Sequence, residues 1–170
     1  MKTQSLEHPP WYLEPYDGES ISHYFGRFRR QEIVSVSSPA SLSRAAKVGP
    51  VLAKWEKLLF NPRPINKELA AIGKLIGLDV DRLAAMFPPP EVRTVHRSTR
   101  LCGLCYKEAP YHRIEWQFQS TEGCDKHRLR LISRCPACDE KIAQPFEWIT
   151  GECKRCGMNF SSMAKRQKRY

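Results

Sequence analysis

Residues 123–131 read GCDKHRLRL, and two residues separate the cysteine from the histidine of this stretch. Three more pairs with the same spacing lie nearby, each made of two cysteines: Cys102 with Cys105, Cys135 with Cys138, and Cys153 with Cys156. Together the pairs contain all seven cysteines of the chain. A tight turn can direct both members of such a pair at one metal ion, so the pattern indicates metal binding.

The pairs supply enough ligands for two zinc ions with four ligands each. Pairing along the chain predicts a first site with three thiolates and one imidazole: Cys102, Cys105, Cys124 and His127. It predicts a second, all-thiolate site: Cys135, Cys138, Cys153 and Cys156. A cross-braced arrangement, joining the first pair to the third and the second to the fourth, is the main alternative, but sequential pairing closes shorter loops. Free thiols or a redox pair are the remaining alternatives.

Neither predicted site has the features of a zinc enzyme. A catalytic zinc normally keeps one coordination position open for water, whereas each predicted set is complete at four ligands. The chain also lacks the H-x-E motif of zinc deaminases, the H-E-x-x-H motif of metalloproteases, the G-x-S-x-G motif of hydrolases and the P-loop. We therefore expect two structural zinc ions per chain and no enzymatic activity.

The charge of the chain favours an anionic partner. Its 28 lysines and arginines exceed its 18 aspartates and glutamates, for a net charge of +10. Zinc-bound thiolates would lower this to about +7, which is still basic, and nucleic acid is the commonest partner of such proteins. No apolar run is long enough to cross a bilayer, and the N-terminus lacks the apolar segment of a secretion signal. We therefore expect a cytoplasmic protein without membrane contacts.

The first half of the chain has helical periodicity. Residues 21–28 place apolar side chains on one helical face. A spacing typical of helix-turn-helix units, in which a small residue precedes a glycine and a large apolar residue, then occurs twice: Ala45, Gly49 and Trp55, and Gly73, Gly77 and Leu83. The pattern predicts helices in four ranges: 40–48, 51–60, 66–76 and 80–87. An ordinary helical bundle with tight glycine turns is the alternative.

Basic residues on three segments are the candidate contacts to nucleic acid or to a protein partner. The first segment would be a phosphate-contacting patch or, alternatively, a solvated helix surface. The candidates are Arg27, Arg29 and Arg30 in the first helix, Arg44, Lys47 and Lys54 in the first helix pair, and Arg128, Arg130, Lys165, Arg166, Lys168 and Arg169 in the basic C-terminal region.

The sequence therefore predicts a mainly α N-terminal helix-turn-helix domain followed by two small α+β zinc-finger modules. The predicted boundaries are residues 1–90 for the helical domain, 91–131 and 132–160 for the two fingers, and 161–170 for a flexible basic tail. Three prolines at 88–90 favour an extended linker. Alternating apolar residues in 111–118 and 127–132 predict two strands that pair within the first finger.

Four quoted stretches together resemble the TniQ family, the target-selection proteins of transposons. They are PYDGESISHYFGRF at 15–28, LCGLCYKEAPYHRIEWQF at 101–118, the GCDKHRLRL stretch and RCPAC at 134–138. The resemblance implies an adaptor that connects a target-recognising complex to TnsC, an AAA+ ATPase. The short chain is similar to the compact form of type V-K CRISPR-associated transposons, which implies a cyanobacterial setting and a type V CRISPR effector with its guide RNA as a further partner.

A free-standing DNA-binding regulator, built from the zinc fingers and the helix-turn-helix pairs, is the alternative function. Such a regulator would bind one duplex site tightly, with a steep salt dependence and a large specificity ratio. The adaptor would instead bind its protein partners and show little sequence preference on bare DNA.

Overall fold

The computed structural model describes residues 8–35 and 38–170. Within that part of the chain, short helices predominate in the helical half, which we define as residues 1–90. The helical half contains α1 Ile21–Arg29, α2 Pro39–Ala45, α3 Leu52–Glu56, α4 Asn66–Ile76 and α5 Val80–Ala84, and two further helices, α6 Gly103–Glu108 and α7 Phe160–Met163, follow after residue 90. The cysteine-rich half, residues 91–170, adds β1 Gly123–Cys124 and β2 Leu129–Arg130, which pair in antiparallel fashion. The predicted fold class is confirmed: a mostly helical N-terminal region precedes a small sheet and two Cys/His clusters.

Helix α1 forms the centre of the helical half. Ser20 caps it by accepting a hydrogen bond from the backbone N–H of His23 at 3.3 Å. Its apolar face is fully buried at Tyr24 and Phe25. Helix α2 packs on α3 and helix α4 packs on α5, so the two predicted helix pairs are present as neighbours around α1.

The two helix pairs turn in different ways. In the second pair, Gly77 adopts a left-handed φ of +81°, which favours glycine. Gly73 lies so close to the carbonyl oxygen of Leu78 that a methyl group would overlap it. In the first pair a methyl group at Gly49 would meet nothing within 4 Å, and the left-handed residue is Lys47, with φ of +54°. The glycine spacing therefore has a steric reason only in the second pair.

The predicted pairing of residues 111–118 with residues 127–132 is wrong. Residues Ile114–Gln117 form a 3-10 helix, and β2 pairs with β1 instead. Trp116 and Gln117 are neighbours in sequence, yet both are buried, whereas a two-faced strand would expose one of them. This segment is a compact turn that buries Ile114, Trp116 and Gln117 and exposes Glu115.

The two halves meet along a tight interface that we call the seam: residues 17–30 against residues 111–114 and 145–148. The backbone N–H of Ser20 donates to the carbonyl of His112 at 2.9 Å. The His112 ring also contacts the Ser20 hydroxyl through Nδ1 at 2.8 Å. Further along α1, Gly26 lies directly against the Phe146 backbone, so that a methyl group there would be 2.7 Å from its Cα. Helix α1 therefore packs against both halves.

The linker at 88–90 is fixed in place. The Arg63 guanidinium donates to the three carbonyl groups of Pro88, Pro89 and Pro90 at 2.8–2.9 Å. Pro88 is buried. The extended segment thus packs along the helical half.

Residues 161–170 do not form the flexible arm that the sequence predicts. They continue from α7 and fold back onto the cysteine-rich half. The Gln167 side chain is buried, accepts from the N–H of Gly103 at 2.8 Å and donates to the carbonyl of Arg130 at 2.7 Å. One amide side chain therefore ties the basic segment to α6 and to β2, although its composition resembles that of a solvated tail.

Candidate metal centres and basic surfaces

The first cluster brings together the four ligands of the sequential pairing: Cys102, Cys105, Cys124 and His127. Their ligand atoms all lie within 4.8 Å of one another. His127 Nδ1 lies 3.3 Å from the Cys105 sulfur and 3.4 Å from the Cys124 sulfur, and these two sulfurs are 3.4 Å apart. Tetrahedral zinc with Zn–S bonds of about 2.3 Å places its sulfurs about 3.8 Å apart, so the cluster fits zinc closely.

Two structural elements hold the first cluster. Cys102 and Cys105 occupy the N-cap and the first turn of α6. Cys124 belongs to β1, and the hairpin turn after it is closed by the N–H of Arg128, which donates to the Cys124 carbonyl at 2.7 Å. Arg128, directly after His127, takes a left-handed φ of +54° in this turn.

Glu108 supports the histidine ligand from behind. His127 Nε2 lies 2.9 Å from a Glu108 carboxylate oxygen, while Nδ1 points to the cysteines. A carboxylate that accepts from one ring nitrogen fixes the tautomer and leaves the other nitrogen free to bind metal. The sequence analysis missed Glu108, although it follows Cys105 by three positions in α6 and therefore shares its helical face.

The second cluster consists of thiols alone: Cys135, Cys138, Cys153 and Cys156. Two sulfur pairs, Cys135 with Cys156 and Cys138 with Cys153, are each 3.6 Å apart. No disulfide is present among the described residues, and the spacing matches tetrahedral zinc. Both clusters thus follow the sequential pairing, and neither follows the cross-braced one.

Two similar turns build the second cluster. The N–H of Asp139 donates to the Cys135 carbonyl at 2.9 Å, and the N–H of Gly157 donates to the Cys153 carbonyl at 2.9 Å. Both donor residues are left-handed, with φ of +59° and +71°. Each pair of cysteines therefore brackets a tight turn, as its spacing predicts.

The electrostatics of the clusters favour a bound cation. The hydrogen bond with Cys105 lowers the pKa of Cys102 to about 5, and the same contact raises the pKa of Cys105. Adjacent thiolates repel one another, so the donors of one cluster cannot all ionise without a positive charge between them. A zinc ion would supply that charge, and each cluster offers it four protein ligands, the number typical of a structural site.

The predicted phosphate-contacting arginines of α1 are engaged within the chain. Arg27 donates through Nε and Nη2 to Glu19 at 2.8 and 2.6 Å. Arg29 pairs in the same way with Glu56, with both contacts at 2.8 Å. Arg30 reaches across the seam to backbone carbonyl groups of residues 146 and 148. These side chains tie α1 to its surroundings instead of forming a free patch, because α1 lies at the centre of the fold.

The other predicted basic residues are exposed and fall into two groups. Arg44, Lys47 and Lys54 belong to the first helix pair, and none of them has an ion pair within residues 8–35 and 38–170. Most of the second group lies at β2: Arg130 belongs to the strand, Arg128 precedes it, and Lys168 and Arg169 run beside it. Lys165 and Arg166 lie on the 3-10 helix that follows α7.

A protein-family model matches a stretch of sequence that includes residues on both sides of the seam. The model of the family described as TniQ matches residues 10–131, well over half of the chain. The chain belongs to the TniQ family. No curated protein matches it. TniQ proteins are generally non-catalytic transposition proteins, which agrees with two clusters that have no open metal position.

The TniQ region contains residues 10–90 of the helical half and the first cluster, whereas the second cluster lies beyond it. The Gly18-Glu19-Ser20 motif and the residues around His112 that carry the resemblance meet at the seam. Within the described residues, no helix is long and apolar enough to cross a membrane.

Proposed function

We propose that this TniQ protein is a non-enzymatic adaptor in RNA-guided DNA transposition. It bridges a target-bound type V CRISPR effector with its guide RNA to a filament of the ATPase TnsC, and so selects the insertion site. The observation that carries the proposal is that the family region spans both halves of a molecule joined through α1. An adaptor needs two surfaces held at a fixed distance, and the seam provides this.

In this proposal zinc has a structural task. Each of the two fingers of the cysteine-rich half is too small to fold on apolar burial alone, so two zinc ions would fix their loops. Because Phe146 and His112 of that half pack on α1, the position of the helical half depends on the same loops. One half would then contact TnsC while the other contacts the effector, RNA or DNA.

A pull-down tests the bridge directly. Tagged, zinc-loaded protein should retain TnsC, and it should retain the effector only when guide RNA and target DNA are present. The matched control is a Lys67→Ala/Lys74→Ala variant, which alters two exposed residues of α4 without touching the seam or the clusters. Failure to retain either partner would refute the adaptor role.

Measured binding to bare duplex DNA separates the adaptor from the regulator. The adaptor should show weak affinity that changes little between sequences. Tight binding of one duplex sequence by the protein alone, with a specificity ratio of about 10³ or more, would instead establish the regulator.

A further inference from the structure

The basic C-terminal segment extends the small sheet. The N–H of Arg130 donates to the carbonyl of Lys168 at 2.9 Å, and the N–H of Tyr170 donates to the carbonyl of Arg128 at 2.8 Å. Residues 168–170 therefore run antiparallel beside residues 128–130, as a third extended segment next to β2. We call residues 128–130 and 168–170 together the tail edge.

An exposed aromatic ring lies at the centre of the tail edge. Tyr170 is 42% exposed. The guanidinium carbons of Arg128 and Arg130 lie 5.6 and 5.9 Å from its ring centroid. Beneath the ring is Gly123, where a methyl group would be 2.6 Å from Cδ2 of Tyr170. Because Gly123 has no side chain, the Tyr170 ring packs directly on its backbone. The guanidinium groups of Arg128 and Arg130 lie close to the same ring.

The charge of the tail edge is largely uncompensated. Within the described residues, no ion pair involves Arg128, Lys168 or Arg169. Arg130 pairs with Glu122 at 3.3 Å, but both side chains are more than half exposed, and such surface pairs contribute little. All four cations are exposed. An anion approaching this edge therefore meets four exposed cations, of which Arg130 is paired with the exposed Glu122 carboxylate.

We propose that the tail edge binds single-stranded nucleic acid without sequence preference. Lysine and arginine side chains would contact the phosphates, and an unpaired base would stack on Tyr170 or on a flanking guanidinium plane. A duplex offers the phosphates but not the exposed base face. This proposal deepens the proposed adaptor function by naming its nucleic-acid surface, and it rests on that function only for its biological role.

Fluorescence anisotropy with a labelled oligouridylate and the full zinc-loaded chain tests the proposal. Tyr170→Ala should weaken binding roughly fivefold or more, because base–aromatic stacking is lost. Arg128→Ala/Arg130→Ala should lower the slope of log affinity against log salt by about 1.4, or about 0.7 for each phosphate contact on a single strand. Lys67→Ala/Lys74→Ala removes the same charge from α4 and should leave both quantities nearly unchanged.

Two further variants separate charge from stacking and exclude simple misfolding. Arg128→Lys/Arg130→Lys should keep the salt slope and lose part of the affinity, since lysine lacks the planar group. Tyr170→Phe should bind like the unaltered chain. Zinc content must remain two ions in every variant, because Arg128 adjoins the first cluster.

Unchanged affinity and salt slope in both the tyrosine and the arginine-to-alanine variants would overturn the proposal. So would equal affinity for an oligouridylate and for a DNA duplex of matched length. Capture of TnsC is measured in a separate experiment without nucleic acid. Failure of the nucleic-acid proposal would therefore not count against the adaptor role, which the pull-down tests.

Discussion

Each half of this TniQ protein has its own core, and the two cores are stabilised by different means. The core of the helical half contains 14 buried apolar residues and no cysteine among the described positions. In the core of the cysteine-rich half, five of the 11 buried residues are cysteines of the two clusters. The first core is stabilised by apolar burial, whereas nearly half of the second becomes a set of mutually repelling groups once the cysteines ionise. The comparison predicts that the cysteine-rich half depends on metal, and that the helical half depends on it only through the seam.

Removal of zinc should have the largest effect of all the proposed changes, and it should unfold the cysteine-rich half more than the helical half. Structural zinc contributes an apparent free energy of about 10–16 kcal/mol at neutral pH, more than a small domain can replace. We expect a strong chelator to abolish the near-ultraviolet signal of the buried Trp116 and Trp148 while the helices of the other half keep part of their far-ultraviolet signal. Restored zinc should restore both signals. A chelated chain with intact tertiary signals would contradict the metal dependence.

Two buried carboxylates that pair with arginines of α1 have pKa values shifted in opposite directions. Desolvation raises the pKa of Glu19, but hydrogen bonds from His23 and Arg27 outweigh it, so the net pKa is lowered. Glu56 has Arg29 as its charged partner, and there desolvation wins and the pKa is raised. Both side chains are almost completely buried. The number of charged or donor partners therefore decides whether the pKa of each carboxyl group is raised or lowered.

Glu19→Gln should therefore destabilise the protein much more than Glu56→Gln. Breaking a buried ion pair costs about 3–5 kcal/mol, and Glu19→Gln would leave Arg27 without its carboxylate. Glu56 is held less favourably as an anion, so a neutral amide should be tolerated better. The free energy of unfolding from denaturant titrations measures both. Equal losses of unfolding free energy in the two variants would show that the number of partners does not determine how much each carboxylate stabilises the fold.

Acidification should weaken the seam before it affects the rest of the helical half. Desolvation lowers the pKa of His23, and it lowers the pKa of the fully enclosed His112 further still. Below their ordinary pKa of about 6.5, the unfolded chain binds protons that the folded chain does not, so stability falls as pH falls. Each histidine should contribute up to about 1.4 kcal/mol per pH unit in this window, and nothing above it. Unfolding at saturating zinc between pH 7.5 and 5.5 measures the slope, and the exposed His96→Gln variant should retain it.

A methyl group at Gly26 should separate steric fit at the seam from helix propensity. In an isolated helix alanine is preferred to glycine, but here the methyl group would overlap the Phe146 backbone. We expect Gly26→Ala to cost about 1–3 kcal/mol, as overpacking does. Gly49→Ala meets nothing within 4 Å and is the matched control. If the two variants unfolded at the same denaturant concentration, close packing at the seam would not matter.

The metal ligands could be predicted from the sequence because their geometry is local. A turn of four residues carries both members of each pair, so the spacing alone determines that Cys135 and Cys138 face one point. The tight turn at Gly77 could be predicted for the same reason. The sequence cannot show which half of the chain a given loop will contact.

Apart from the strand predicted at 111–118, the main features that the sequence analysis missed involve residues far apart in the chain. The Ser20 and His112 contact spans 92 positions, and no periodicity in either segment indicates it. Gln167 looks like one more polar residue of a basic tail until the Gly103 N–H and the Arg130 carbonyl are beside it. The three α1 arginines have the composition of a nucleic-acid patch, and only their distant partners reveal a structural role.

The smallest expected effect concerns the support of a single metal ligand. Glu108→Ala removes the carboxylate behind His127 and should reduce the affinity of the first cluster for zinc by about 10- to 100-fold, as such changes typically do. Lys126→Ala removes the other partner of Glu108 and should leave zinc affinity nearly unchanged, because its contact does not orient the imidazole. Competition with a chromophoric chelator resolves the two zinc ions by affinity, and the all-thiolate cluster serves as the internal reference. If both ions weakened together in Glu108→Ala, the clusters would be coupled through the fold and the carboxylate would not act through His127.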